Sequence, residues 1–214
     1  KGRDFLYSLL NDHVAINIKI DQMAFVVAKS GDKLTFKGRE GKGIITKIKR
    51  AQLDIYEDAI RHIESRPWQQ LPDGIEIYLE NFNDKLKAIV SYKQKPKNNL
   101  IISYAKIEGK MIPPDDNMNK QIADLLDVAP PPILFSGKLS DAQKHQLAAY
   151  ASLSKTERLT KYPDSNTFLD FIMSLFVHPQ ELSWLKDDGY EGVVFYFGEG
   201  EKAVPAKLVD PMFT

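Results

Sequence analysis

The order of apolar patterns predicts an α+β fold in which antiparallel strands carry flanking helices. Three observations point to it. Short runs rich in Ile and Val, bounded by turn residues, occupy the chain up to about Ala105; helical periodicity takes over between Pro113 and Asp188; two further strand-like runs follow. Strands and helices are therefore grouped rather than strictly alternating.

Taken in order, Phe5 to Leu10 is a short apolar, helix-like start, and Val14 to Lys29 reads as two strands. Ser30-Gly31-Asp32 is a turn signal and Leu34 to Lys37 the next strand, so an antiparallel meander is expected. Gly38-Arg39-Glu40-Gly41-Lys42-Gly43 reads as a glycine-spaced loop carrying an arginine, with glycines that let the backbone approach a phosphate or sugar. From Ala51 to Ser65 the apolar residues Leu53, Tyr56, Ile60 and Ile63 recur at helical spacing, and Arg66-Pro67 stops a packing helix. Ile75 to Leu79 alternates like a strand and delivers Glu80, with Leu86 to Tyr92 and Asn99 to Ala105 as further strands.

In the second half, Asn117 to Val128, Ser140 to Leu153 and Asn166 to Phe176 show helical periodicity. Ser140-Asp141-Ala142-Gln143 is a capping-box pattern, in which the serine oxygen and the glutamine side chain each satisfy a backbone N–H at the helix start. Pro130-Pro131-Pro132 punctuates the first two helices, and Ile133-Leu134-Phe135 is a short strand between them. Trp68, Trp184 and the stripe Phe168, Phe171, Ile172 and Leu175 are assigned to the core. The turn Asp187-Asp188-Gly189-Tyr190 leads into Glu191 to Phe197, a buried-looking strand with an acid at its mouth; Ala203 to Val209 is the last strand and sets Lys207 among apolar neighbours.

Composition narrows the function classes. A chain of 214 residues with 43% apolar content can bury one sizeable core or two small ones, and the usual domain size favours one. With no cysteine it forms no disulfide and no thiolate zinc site. No apolar run reaches the roughly 18 residues of a membrane span and no signal-peptide pattern opens the chain, so a cytoplasmic, monomeric protein without membrane contact is expected. The chain opens on Lys1 rather than Met, as a trimmed piece would. Net charge is zero, yet eight Lys or Arg fall between Lys29 and Arg50 against Asp32 and Glu40, and Lys85 to Lys97 has five lysines and no acid. Such runs read either as solvated surface or as a track for a phosphate backbone.

One residue breaks the apolar pattern of the first strands. In Ile16-Asn17-Ile18-Lys19-Ile20-Asp21-Gln22-Met23, Lys19 either faces solvent from an edge strand or is a desolvated amine, whose lowered pKa would free it as a nucleophile. Lys19-Ile20-Asp21 resembles the K-x-D-G nucleophile motif of the covalent nucleotidyltransferases, the superfamily of ATP-dependent DNA ligases, RNA ligases and mRNA capping enzymes. Glu191-Gly192-Val193-Val194 is similar to its fourth motif and Ala206-Lys207-Leu208-Val209 to its fifth, in the same order. Tyr78-Leu79-Glu80, followed by Pro96-Lys97-Asn98-Asn99 and an apolar strand, resembles the third motif of the RNA-ligase-like branch.

The resemblance implies antiparallel sheets forming a nucleotide cleft, an ATP-grasp-like ligase nucleotidyltransferase domain over residues 1–214. Its helical segment would span 113–188, and no OB-type domain follows within the chain. It implies that Lys19 attacks the α-phosphate of ATP to form lysyl-AMP, that Lys207 contacts that phosphate, and that Glu191, with Glu80, serves Mg²⁺ or Mn²⁺. Arg39 and Glu80 would fix the sugar and base side, with Asn17, Ile18, Asp21 and Tyr104 completing the nucleotide pocket. Asn17 stands where a glutamate often faces the adenine amino group. Nucleic acid, RNA or a nicked duplex, would lie along Lys29–Arg50 and Lys85–Lys97. Compact divergent ligases of this kind resemble viral and phage members, which would place the protein inside a host cell.

Three positions depart from the family pattern: Gln22 replaces the glycine of K-x-D-G, Pro205 the first lysine of K-x-K, and Ser103-Tyr104 an aromatic-Asp pair. Beside the RNA-ligase-like enzyme stand a GTP-using capping guanylyltransferase, a degenerate nucleic-acid-binding module of the same fold, and a structural reading in which Lys19, Glu191 and Lys207 are all exposed.

Overall fold

The computed structural model describes residues 13–20, 22–40, 44–48, 53–83, 85, 95–163, 167, 170–171, 174–176, 192–197 and 204–209, with the backbone alone at 39–40, 44–46, 53, 197 and 204–209. The expected helix at Phe5–Leu10, the strand at Leu86–Tyr92, Trp184, and the site residues Asp21 and Glu191 lie outside the described residues.

Among the described residues ten strands form two antiparallel sheets. The larger runs β4 (Ile44–Lys47), β3 (Lys33–Glu40), β2 (Met23–Ser30), β5 (Ile75–Asn81), β6 (Leu100–Ile107), β7 (Lys110–Ile112) across the sheet. The smaller runs β10 (Val204–Val209), β9 (Gly192–Phe197), β1 (Val14–Lys19), β8 (Ile133–Gly137). Helices α1 (Leu53–Glu64), α2 (Asn117–Leu126), α3 (Asp141–Ser152) and α4 (Lys155–Lys161) complete the α+β fold.

The expected meander holds only in part, because β1 and β2 separate into different sheets. β1 is central in its sheet, paired to β9 on one side and β8 on the other. Its first five residues are buried, which explains a near-continuous apolar run where an edge strand would alternate. β5 does alternate, odd positions buried and even ones partly exposed. Gly38 and Arg39, expected in a loop, belong to β3. A Cβ built at Gly38 would meet the Tyr56 hydroxyl at 2.6 Å, so this glycine makes room for α1 rather than for a turn. Strands β4 and β7 and helix α4 had no apolar pattern strong enough to predict them.

Each sheet buries one face under helices. Beneath the larger, Phe25, Val27, Ile77, Leu79 and Ile102 pack with Tyr56 and Ile63 of α1 and Ile122 and Leu126 of α2. Beneath the smaller, Val14, Ile16, Ile18, Val193 and Phe195 pack with Leu147 and Tyr150 of α3. Full burial of each such side chain contributes about 1.5–3 kcal/mol. The helices are capped as their sequences direct: Asp116 accepts from the Met118 N–H, and reciprocal boxes join Ser140 with Gln143 and Ser154 with Glu157.

Between the sheets lies a third, smaller cluster of Ala15, Met111, Val194 and Tyr196, with Tyr104 against it. At the start of β1 a polar knot also joins them. His13 Nε2 and the Ser136 hydroxyl both donate to Asp115 Oδ2, at 2.5 and 2.6 Å, linking β1 and β8 to the β7–α2 connection. Facing an acceptor-only carboxylate, that imidazole nitrogen carries its proton. Burial alone would raise the Asp115 carboxyl, but the bonds from His13 and Ser136 outweigh it and hold it below the usual carboxylate range.

Two outcomes follow. Gly38→Ala should destabilise the chain by about 1–3 kcal/mol in urea unfolding, because Tyr56 is fully buried and cannot yield; an unchanged midpoint would show that the contact relaxes. Since the folded Asp115 pKa is depressed, its contribution is complete above the unfolded value of about 3.9 and disappears as pH falls through the lower folded value. Asp115→Asn should therefore flatten the acid limb of a plot of unfolding midpoint against pH below about 4; parallel limbs would exclude that role.

Candidate functional site

The facing walls of the two sheets carry several of the residues the sequence singles out: Asn17 and Lys19 on β1, Glu80 on β5 and Tyr104 on β6. Along β1, Ile16 and Ile18 turn into the helix-covered core, so the alternating positions Ala15, Asn17 and Lys19 fall on the face toward the larger sheet. Lys19 is partly buried at the C-terminal end of the strand, opposite Gly192 and flanked by buried Ile18 and Ile20. Asn17 lies opposite Val194, and Val194 in turn is the register partner of Lys207. The backbone of Lys207 is thus two strand spacings, roughly 10 Å, from Asn17.

The other wall comes from β5 and β6. Glu76, Tyr78 and Glu80 share one face of β5, opposite the face that buries Ile75, Ile77 and Leu79. Tyr104 and Lys106 are their register partners on β6, and Glu80 pairs with Ala24 and Ile101. The ladder shifts register between Tyr78 and Leu79, opposite Tyr104 and Ile102, so Ser103 is the extra residue of a β-bulge. The backbone of Arg39 pairs with Ile45 two strands away from β5.

Asn17 uses that bulge. Its Nδ2 donates to the Ser103 carbonyl oxygen at 3.2 Å, across the gap between the sheets. The bond fixes which way the amide points and leaves Oδ1 as the inward acceptor. Asn17 is 2% exposed, and among the described residues its Oδ1 has no hydrogen-bond partner. A buried acceptor without a donor costs about 1–3 kcal/mol. On this face, two residues before Lys19, it is an acceptor awaiting a donor.

Tyr104 is held differently from a lone stacking platform. Its ring stacks on Tyr78 with centroids 4.4 Å apart and planes at 14°, and Tyr196 leans on it at 5.9 Å. Burial pushes the Tyr104 phenol up to about 12 and raises Tyr78 and Tyr196 as well, the nearby Glu76 and Glu80 carboxylates adding to the effect, so all three stay protonated at neutral pH. The sequence analysis missed Tyr78 and Tyr196, although alternation from Glu80 and Val194 puts each on the inner face. It missed the Ser103 bulge too, which has no local signature. The Lys29–Arg50 run is divided: the Lys29 ammonium caps the Gln69 and Leu71 carbonyls on the helix side, whereas Lys37 lies on the inner face. Of the second run, Lys85 donates to the Asp54 carbonyl and Lys97 pairs with Asp127.

Among the described residues no group of three or more His, Asp or Glu is gathered to hold a metal. Of the two candidate metal-binding acids, Glu80 is the one described.

Solved structures with this fold exist. The chain superposes on a lysine-to-methionine variant of Naegleria gruberi RNA ligase with AMP and Mn at TM-score 0.60 and 13% identity, covering 98% of this chain and 53% of that one. A lysine-to-alanine variant of the same ligase with ATP and Mn gives 0.59 at 13% identity with the same coverage, and the ligase with PPi gives 0.56, also at 13% identity, 98% and 53%. The fold is RNA-ligase-like. The chain spans about half the length of these ligases. No protein-family model matches it, and no curated protein does. Among the described residues no helix is long and apolar enough to cross a membrane.

Within that RNA-ligase-like fold, Asn17 is the described residue whose loss is easiest to read. Asn17→Ala leaves the Ser103 carbonyl without its donor but also removes the buried Oδ1, two effects of about 1–3 kcal/mol and opposite sign, so the urea-unfolding midpoint should move little. A loss of several kcal/mol would show that Oδ1 is satisfied in the folded chain.

Proposed function

We propose that this chain is an ATP-dependent polynucleotide ligase of the RNA ligase kind, carrying AMP on Lys19. The observation that carries the reading is the buried, unpartnered Oδ1 of Asn17 beside that lysine, on the inner face of a sheet in an RNA-ligase-like fold. An acceptor there suits the adenine amino group. Guanine would bring a carbonyl against it and leave both acceptors unmatched.

The Lys19 amine, in its neutral form, attacks the α-phosphorus of ATP. A P–N bond forms, the bond to the bridging oxygen breaks, pyrophosphate leaves with the electron pair, and the nitrogen gives up a proton. A 5′-phosphate oxygen then attacks the same phosphorus, the P–N bond breaks, and lysine regains a proton as AMP passes to the polynucleotide end. A 3′-hydroxyl finally displaces AMP to seal the strand. Lys19 stands partly buried between Ile18 and Ile20, at the end of a strand that fixes where its side chain starts. Lys207, on the β10 backbone two strands from Asn17, would neutralise phosphate charge, and Arg39 would meet the nucleoside from β3. Glu80, with Glu191, would hold Mg²⁺ or Mn²⁺, which when bound supplies charge neutralisation at the phosphates. Tyr104, tied to Tyr78, would close the base end of the pocket rather than lie flat beneath the purine.

Intact-mass measurement tests this. Incubation with ATP and Mg²⁺ or Mn²⁺ should add one AMP, and Lys19→Ala should abolish it. GTP should give little or no adduct; label from GTP alone would turn the reading to a guanylyltransferase, and no adduct from either would leave a binding module of the same fold.

A further inference from the structure

The inner face of the larger sheet continues past the candidate nucleotide site. From Glu80 to Glu76 is four strand residues, about 13 Å along β5, and at that level the face changes from acidic to basic and aromatic. Lys37 of β3 and Lys106 of β6 flank Glu76, which accepts from the Lys37 ammonium at 2.5 Å and from the Tyr78 hydroxyl at 3.1 Å. Lys106 Nζ is 5.3 Å from the centroid of the Tyr78 ring. The side chains of Lys37 and Glu76 are 32% and 30% exposed, and Tyr78 and Lys106 are partly exposed.

Two features of this surface ask for a polyanion. Lys37 and exposed Lys47 are direct register partners on neighbouring strands, a like-charge placement that opposes sheet pairing. Lys33, two positions before Thr35 on the same face of β3, is exposed as well. On a chain of zero net charge, Asp32 and Asp73 at the hairpin tip offset Lys33, while Lys37, Lys47 and Lys106 against Glu76 make a local positive field that the composition as a whole does not predict. The lysines supply phosphate contacts, and Tyr78, already oriented by its stack on Tyr104, supplies a ring for an unpaired base at little ordering cost. Paired bases are stacked inside a duplex and cannot use such a ring.

We infer that this face, from Lys47 and Lys37 across Tyr78 to Lys106, docks single-stranded RNA and feeds its end toward Lys19. The inference rests on the ligase reading above for the choice of RNA as the polymer, and binding without ATP tests it separately. The probe is a short labelled single-stranded oligoribonucleotide, followed by fluorescence anisotropy across a salt series, with an oligodeoxyribonucleotide and a duplex RNA as controls.

Wild type should bind the single-stranded RNA, more tightly than either control. The pair Lys37→Gln with Lys106→Gln should weaken binding roughly tenfold and make the log Kd against log salt slope shallower by about 1.4, two phosphate contacts at about 0.7 each on a single strand. Tyr78→Leu should weaken binding about tenfold with little change of slope, and Tyr78→Phe should retain it. Thermal unfolding of each variant separates lost binding from lost fold. Lysyl-AMP yield of the Lys37→Gln, Lys106→Gln pair, measured in parallel, should stay at the wild-type level. Absence of RNA binding by wild type, equal affinity and slope in folded lysine variants, or preference for DNA or duplex would overturn the assignment whether or not lysyl-AMP forms.

Discussion

The bond from Asn17 Nδ2 to the Ser103 carbonyl is the constraint from which the inner geometry follows. Two sheets facing each other would ordinarily close with interdigitating apolar side chains about 10 Å apart. That happens at one end, where Ala15, Val194 and Tyr196 meet Met111 and Tyr104. Beyond it a polar residue sits in the contact, and a carbonyl displaced by the β6 bulge becomes its partner. Both strands are irregular here: β1 also shifts register against β8 between Ile16 and Asn17. Two bulges at one crossing free the backbone groups that regular ladders would consume. The Ile18 N–H uses this to reach the Pro132 carbonyl, and Ala129, just before the proline run, bridges to β6 through Leu100 and Ile102.

The order along β1 then divides the labour. His13 is tied at the outer end, Ala15 packs, Asn17 bonds and Lys19 remains partly exposed. Along β5, Glu76, Tyr78 and Glu80 share the inner face, each partly exposed.

Most of this order was legible wherever local pattern and tertiary demand agree. β5 alternates because one face is core and the other is not, so its inner residues could be read from period alone. The capping box at Ser140 and Gln143 placed α3 to within a residue. Helix α4 carried the same signal, Ser154 with Glu157, yet its seven residues bury none fully and left no apolar stripe to notice. What stayed hidden was non-local. His13, Asp115 and Ser136 lie far apart in the chain, and nothing near any of them announces the others. Gly38 looked like a loop glycine because its reason is a tyrosine on a different element. The separation of β1 from β2 was equally invisible: a short connection between two strands normally makes a hairpin, and only the demand for β9 and β8 on either side of β1 overrides it.

That override also bears on the motif departures. Glycine in K-x-D-G permits close approach just after the lysine; here Gln22 fills that place at the point where the chain leaves one sheet for the other. Gln22 is partly exposed at a bend, so its side chain need not enter the space before Lys19. Pro205 replaces a family lysine on β10, which is at the margin of its sheet, the position where a strand tolerates proline. Ser103 replaces an aromatic where the strand bulges toward Asn17, and there a large ring would occupy the space between the sheets that the short amide link spans. Each departure sits at a place where the backbone gives a local reason for it. The three changes are thus compatible with the RNA-ligase-like fold.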